Sequence, residues 1–257
     1  MGRFLIIPQL SAIEESLCVA QKYGFGFEYN DFFIPDVMDD TDRTDKIISD
    51  YRKNALPAHC TTHGAFFDVI VFSSDRKIRE ISELRIRQSL DIARKIGAKG
   101  AVFHTNHNPQ LTSESYLKGW LDRNTEFWSK ILQEYSDLEI YMENMFDDSP
   151  VMLVSLAKKL SSFPNFGICL DYAHAEVFGG GAEKWVEAVA PYVKHLHIND
   201  NDLKDDLHLA VGDGKIDWNR FSGYYRTYFS ECTTLIEVNG TDKQERSAQF
   251  LQKLGLI

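Results

Sequence analysis

The sequence predicts an α/β protein folded as a single (β/α)8 TIM barrel over residues 1–257. Three observations predict it. Eight short apolar runs alternate with eight helix-like segments, and eight such units in 257 residues favour a closed barrel over a doubly wound open sheet. The runs are continuously apolar rather than alternating, as strands covered on both faces must be. Runs three to eight each end on or just before His, Asp or Glu, and the chemistry of such barrels sits at the C-terminal ends of the strands.

The elements follow in order. Residues 3–7 form strand one, ended by Pro8. Ser11 and Glu14 have the spacing of a capping box for a helix running to residue 23. Residues 24–29 form strand two, with Glu28 near its end where it can face a ligand. Residues 30–40 read as a loop and 41–54 as a polar amphipathic helix. Strand three, 56–62, delivers His63. The apolar stretch 65–74 then sits where a barrel loop belongs, as a cover for the pocket or a contact with another subunit. The clearest helix is 75–96, with apolar positions at Ile78, Ile81, Leu84, Leu90, Ala93 and Ile96 and Gly97 as its C-cap. Strand four, 99–103, delivers His104, and a long helix covers 112–135. Strand five, 138–142, delivers Glu143 and Asn144. Ser149 as cap and Pro150 at the first helical position open a helix to residue 160. Strand six, 166–170, delivers Asp171 and then His174. A glycine turn at Gly179 to Gly181 leads into helix 182–190. Strand seven is 193–198, helix seven 217–228, strand eight 233–236 delivering Glu237, and the last helix 243–254.

Composition narrows the function. The chain carries 38 acidic against 28 basic residues, a net charge of −10. Binding to a phosphate backbone rests on Lys and Arg, so this balance counts against a nucleic-acid substrate, although bound divalent metals would reverse the potential locally. Four widely spaced cysteines, Cys18, Cys60, Cys169 and Cys232, read as free thiols of a reducing compartment. Cys60 and His63 make a lone Cys-x-x-His, a weak zinc signal without a second pair. The N-terminal apolar run is too short for a signal peptide. No stretch reaches the roughly 18–20 apolar residues of a membrane span, so the expectation is a cytoplasmic protein with no membrane partner.

The strand ends carry the chemistry. His63, His104, Glu143, Asp171, His197 and Glu237 converge on one mouth in a barrel, and His174, Asp206 and His208 reach it from loops. Mixed imidazole and carboxylate donors suit Zn, Mn, Fe or Co. Four of the nine suffice for one ion, the expected number; all nine would hold two or three. Two reactions use such a mouth. In one, a single metal grips a sugar or polyol while Glu143 and Glu237, from opposite sides, take and return a proton. In the other, clustered metals drive phosphodiester hydrolysis. His63, His104, Asp206 and His208 are direct ligands in the second and a substrate-binding shell in the first.

Smaller signals have plainer readings. Gly179 to Gly181 lacks a dinucleotide fingerprint and reads as a turn. Gly212-Asp-Gly214 reads as a turn orienting the preceding loop, with a phosphate cradle as the other reading. Trp218 belongs in the barrel wall or helix layer. Phe32, Phe33, Phe66 and Phe67 lie in mouth loops, where they line an apolar side of the pocket or form a homodimer contact.

Glu143-Asn144, Asp171-Tyr-Ala-His174, His197-Ile-Asn-Asp200, Asp206-Leu-His208 with Gly212-Asp-Gly214, and Glu237 together resemble the xylose-isomerase-like barrels, over nearly the whole chain. That group includes sugar epimerases, inosose dehydratases and endonuclease IV. In its isomerase and epimerase members, the resemblance implies one metal on Glu143, Asp171, His197 and Glu237, proton transfer by the two glutamates, and His174 on the sugar hydroxyls. In its endonuclease members, it implies three zinc ions on all nine residues. This chain departs from the endonucleases in its acidity and in NDFFIPDVMDD after strand two, which is no basic DNA loop. It departs from some ketose epimerases in lacking an arginine soon after the strand-seven histidine; Lys204 is the nearest cation. A sugar isomerase or epimerase is the leading expectation. An endonuclease IV-like hydrolase and a non-catalytic binding barrel are the alternatives.

Overall fold

The computed structural model describes residues 3–66 and 68–257, so the expectation for Phe67 lies outside the described residues. Eight strands form in chain order: β1 Phe4–Ile6, β2 Gly26–Tyr29, β3 Cys60–His63, β4 Gly100–His104, β5 Glu139–Glu143, β6 Phe166–Asp171, β7 Val193–Ile198 and β8 Thr233–Ile236. They close into one parallel barrel, β8 pairing with β1. The helices are α1 Ile13–Tyr23, α2 Pro35–Met38, α3 Thr41–Arg52, α4 Arg76–Ile96, α5 Glu114–Glu134, α6 Val151–Lys159, α7 Tyr172–Val177, α8 Glu183–Val189, α9 Trp218–Tyr224 and α10 Thr241–Lys253. Eight of these form the outer layer the sequence predicts. The short α2 and α7 are additions at the mouth, where a loop was expected.

Strand side chains alternate between faces. Phe4, Ile6, Phe27 and Tyr29 point outward and share the main core with helix residues such as Val19, Ile48 and Leu251. Each fully buried apolar side chain there contributes roughly 1.5–3 kcal/mol. The inward face carries two small apolar clusters, Leu5, Ile7 and Leu235 and then Val102, Tyr141 and Cys169. The next inward positions are chemical. Two residues past Tyr141 comes Glu143, past Cys169 comes Asp171, and past Leu235 comes Glu237. The register sets His104 opposite Glu143 and Asp171 opposite His197.

The same parity disposes of the Cys-x-x-His signal. Cys60 and His63 lie on opposite faces of β3, and the Cys60 thiol points to the Gly97 carbonyl at 3.6 Å. Gly97 closes α4 with φ 89° and donates to Ala93 O and Arg94 O, as its C-cap reading required. The α4 stripe needs correction. Ile78, Ile81 and Leu84 are exposed, because the buried line runs through Ser82, Ile86, Ser89 and Ala93. A spacing of three drifts around a 3.6-residue helix, whereas 4-3-4 stays on one face. Two caps also differ. The Ser11 box does not form: residues Leu10–Ala12 make a 3-10 turn, and Ser16 Oγ instead accepts from Gln9 N–H at 3.1 Å. Pro150 sits one residue before α6, and no side chain caps that helix. Phe32 is buried in the core beside Tyr29 and does not line the mouth. Trp218 is buried as expected, and Val69 and Val71 of the apolar loop pack down into the core.

Candidate metal centre

All nine residues singled out in the sequence come together at the C-terminal end of the barrel. They form three groups whose donor atoms lie within 4.8 Å of one another: His63, His104 and Glu143; Glu143, Asp171 and His197; and His174, Asp206 and His208. Glu237 joins the central group through Oε2, 3.5 Å from His197 Nδ1. Glu143 belongs to two groups. Its Oε2 lies 3.4 Å from His104, 3.7 Å from His63 and 3.3 Å from His197.

Three of the five histidines are oriented from behind by the main chain. His63 donates Nδ1–H to Gly64 O at 2.9 Å, His174 to Asn144 O at 2.9 Å, and His208 to Glu237 O at 2.8 Å. A ring that gives its Nδ1 proton outward turns the Nε2 lone pair into the site, the arrangement of metal-bound imidazoles. His63 Nε2 meets His104 Nε2 at 3.2 Å. His174 and His208 Nε2 both meet Asp206 Oδ2, at 3.3 and 3.1 Å. Lone pairs aimed at one another or at a carboxylate repel unless a proton or a cation lies between.

The electrostatics of these groups have that signature. Burial lowers the basicity of His63 and His104, yet the Glu143 carboxylate drives His63 up while His104 stays down, so one proton serves the pair. Burial also opposes charge on His208, but Glu237 and Asp206 push it up to about 10. Asp171 goes up to about 7 through burial, and the neighbouring carboxylates Glu237, Glu143 and Asp206 add to the rise. Protons thus stand in for positive charge among four crowded carboxylates. A divalent cation would supply that charge directly.

A second observation tests the fit. Glu143 Oε2, Asp171 Oδ2, His197 Nδ1 and Glu237 Oε2 are buried and lack a well-formed hydrogen bond. Buried polar atoms are normally paired, and these four are one from each residue expected to hold a single central ion. The donor set therefore fits a metal. Asn144 sets two of the donors: its side chain accepts from Asp171 N–H and donates to Asp171 O, each at 2.9 Å, pinning the end of β5 to that of β6. The Asp171 carboxylate then caps α7 through His174 N–H at 2.6 Å, which places His174.

The loop bearing Asp206 and His208 hangs on Asp200. This fully buried carboxylate accepts from Asn201 N–H and Gly212 N–H at 2.9 Å, Ile216 N–H at 3.2 Å and Trp218 Nε1–H at 2.7 Å. Gly214 packs so close that a Cβ would sit 2.3 Å from Asp200 Oδ1. The glycine turn therefore orients its loop, and the Gly212 N–H that a phosphate cradle would use is already taken. Residue 208 adopts φ 45°, in the left-handed region that His reaches more readily than most residues, and such positions cluster at functional sites.

A cavity of about 460 Å³ opens over the groups, lined among others by Asn30, Phe33, Phe66, Met145 and Asn239. Its described lining contains no Lys or Arg. Phe33 and Phe66 meet at 5.0 Å between centroids with their rings tilted by 47°, from the loops after β2 and β3. A second cavity of about 590 Å³ adjoins it through Ile7, Asn30 and Asn239. No described helix is long and apolar enough to cross a membrane.

Comparison with known proteins agrees with this architecture. Residues 19–254 match the model of the xylose isomerase-like TIM barrel family. The chain is 29% identical over 166 residues to the uncharacterized protein MJ1311 of Methanocaldococcus jannaschii, covering 61% of this chain and 56% of that one, so the match spans little more than half of that relative. It is 25% identical over 179 residues to a probable endonuclease 4 of Mycobacterium leprae, covering 65% and 67%. Among solved structures, the TTHB071 protein of Thermus thermophilus, soaked with ZnCl2, is 26% identical with TM-score 0.79 over 98% of both chains. A D-tagatose 3-epimerase-like protein, 21% identical with TM-score 0.78 over 98% and 97%, shares the fold.

Proposed function

Because the chain belongs to the xylose isomerase-like TIM barrel family, we propose that its mouth is a clustered divalent-metal centre that hydrolyses a phosphate ester of a small substrate. The carrying observation is the grouping of eight of the nine donors into three sets, two of which share Glu143, with Glu237 beside the central set and three imidazoles locked to present Nε2 inward. An enzyme using one ion needs only Glu143, Asp171, His197 and Glu237. It leaves His63 against His104, and His174 and His208 against Asp206, at 3.1–3.3 Å with only protons to separate them. The zinc-soaked relative and the probable endonuclease 4 support the same reading.

Divalent ions held there, Zn or the similarly bound Mn, Co or Fe, supply Lewis acidity toward a phosphoryl oxygen and hydroxide near neutral pH. The chain supplies the rest. Glu143 ties two donor sets together. The backbone-locked rings hold their lone pairs in place without side-chain rearrangement. Phe33 and Phe66 keep water from one wall, and Asn30 and Asn239 offer uncharged partners to hydroxyl groups. A described lining without Lys or Arg, on a chain of net charge −10, disfavours a long polyanion and favours a small molecule.

The second reading, a one-metal sugar isomerase or epimerase, is favoured by the aromatic pair Phe33 and Phe66 on the pocket wall and by Glu143 and Glu237 both approaching His197 Nδ1, at 3.3 and 3.5 Å. There, Glu143 and Glu237 exchange the proton beside a carbonyl. Elemental analysis of protein purified without chelator, with a panel of chromogenic phosphate esters and of ketoses in D2O, separates the two. Two to three ions per chain with ester turnover is the expected result. One ion with deuterium entering a ketose would overturn it in favour of the isomerase, and a chain that retains no metal and turns over nothing would leave the binding barrel.

A further inference from the structure

Beneath the central donors lies a polar layer outside the three groups described above: the buried Glu28 of β2, Thr61 of β3 and His195 of β7, with the half-buried Thr233 of β8. We propose that Glu28 is a positioning residue for the metal centre, holding the His197 proton on Nε2 so that Nδ1 offers its lone pair to an ion among Glu143, Asp171 and Glu237. The inference rests on the metal-centre reading above and adds to it a residue on the far side of a ligand.

His197 is the one histidine of the central group, and its ring stands between two sets of carboxylates. Nδ1 faces Glu143 and Glu237 at 3.3 and 3.5 Å. Nε2 faces Glu28 Oε1 at 3.1 Å, an ion-pair contact rather than a well-aligned hydrogen bond. Unlike His63, His174 and His208, it has no backbone carbonyl to choose its tautomer. Among the described carboxylates Glu28 is the one that faces the lower nitrogen and makes it the better place for the proton, with the Cys169 thiol also against the ring. Glu28 is itself fully buried and held by two donors on its other oxygen. Thr61 Oγ1–H reaches Oε2 at 2.6 Å, and His195 Nε2 lies 3.1 Å from it. With Nε2–H given to Glu28, His195 Nδ1 accepts from Thr233 Oγ1–H at 2.5 Å. Both nitrogens of His195 are thereby spent. Although Cys169, His195 and His197 cluster closely enough for an ion, His195 keeps no lone pair for one. The layer is a scaffold for the site above it.

The test titrates metal-stripped protein with Zn2+ against a competing chelator, for wild type and Glu28→Gln, and reads the imidazole tautomers by 15N NMR. Loss of an outer partner of a metal-bound histidine weakens affinity about 10–100-fold, and that loss is expected at the tightest site of the variant. In zinc-loaded wild type, the His197 proton is expected on Nε2. In the variant, that resonance should move. A merely structural role would lower the melting temperature of the metal-free variant and leave affinity and tautomer alone, overturning the proposal. If Glu28→Gln does not fold, Glu28→Asp, which keeps the charge but draws it back by one methylene, should show the same losses to a smaller degree; unchanged affinity there also refutes the role. A wild type that binds no divalent ion overturns this role and the metal-centre reading together. Tight wild-type binding matched by the variant refutes Glu28 alone.

Discussion

Replacing Asp200 by Asn should disable one donor group while sparing the barrel. Each Asp200 oxygen takes two donors: Oδ1 from Asn201 and Ile216 N–H, Oδ2 from Gly212 N–H and the Trp218 indole. Asparagine keeps one oxygen. Whichever way the amide turns, its NH2 confronts two buried N–H groups. Hydrogen bonds to charged acceptors contribute about 1.5–3 kcal/mol each, so losing two costs roughly 3–6 kcal/mol. The penalty is concentrated in the segment from Asp200 to the start of α9, which carries Asp206 and His208 inside the Asp200–Leu209 bridge and the Gly212, Ile216 and Trp218 donors after it. Such a loop opens locally before the barrel unfolds. The expected outcome is one fewer ion per chain, faster proteolytic cutting within residues 202–207, and near-wild-type far-UV circular dichroism. If the penalty enters the global transition, melting falls by about 6 °C or more. A variant with the full metal count and wild-type protease resistance would refute the assignment of Asp200 as the loop's anchor.

Three further outcomes are expected. Glu143→Gln and Glu237→Gln should each lower kcat on the true substrate by at least about 100-fold with the fold intact; substantial turnover in either removes the carboxylates from the chemistry. His104→Ala separates the two functional readings, since a clustered-metal hydrolase loses an ion and most of kcat, whereas a one-metal isomerase keeps kcat and shows a raised KM. Asp147, buried against Thr105 Oγ1, is pushed up to about 6 by burial. The folded state therefore binds a proton more readily than the unfolded one, and stability declines as pH rises from about 4 through 6, by up to about 3 kcal/mol. Asp147→Asn should flatten that slope in urea melts at pH 4 to 7, and an unchanged slope would place the titration elsewhere.

The barrel and the upper face of the site were legible because each strand is a short apolar run that stops at a polar residue, and closure carries such stops to one rim. His63, His104, Glu143, Asp171, His197 and Glu237 could be read in this way, and the loop donors followed from their spacing. The lower layer was legible only in part: Glu28 stood out near the end of its strand, but not its partner or its place beneath the donors. Glu28 and His195 meet across 167 residues of sequence, and a buried acid on an apolar strand carries no mark of its partner. Parity held a clue: His195 lies two residues before His197 and so shares its face. Asp200 was visible within its motif, but its four donors come from a loop whose path depends on them. The exposed end of the α4 stripe was misread because hydrophobicity alone does not say which of two overlapping faces a helix buries; Ser82 and Ser89 occupy the chosen one.

The backbone locks on His63, His174 and His208 bear on how such a site can change over generations. Their partners are main-chain carbonyls at Gly64, Asn144 and Glu237, and a point substitution leaves a carbonyl where it was. The orientation of these rings is inherited with the path of the chain, so side chains around them can drift while the donors stay aimed, and only an insertion or a rerouted loop would release them. His197, like His104, has no such lock among the described residues. Its orientation depends on a side chain from a distant strand, so a single codon change at position 28 could detune the centre without touching a ligand.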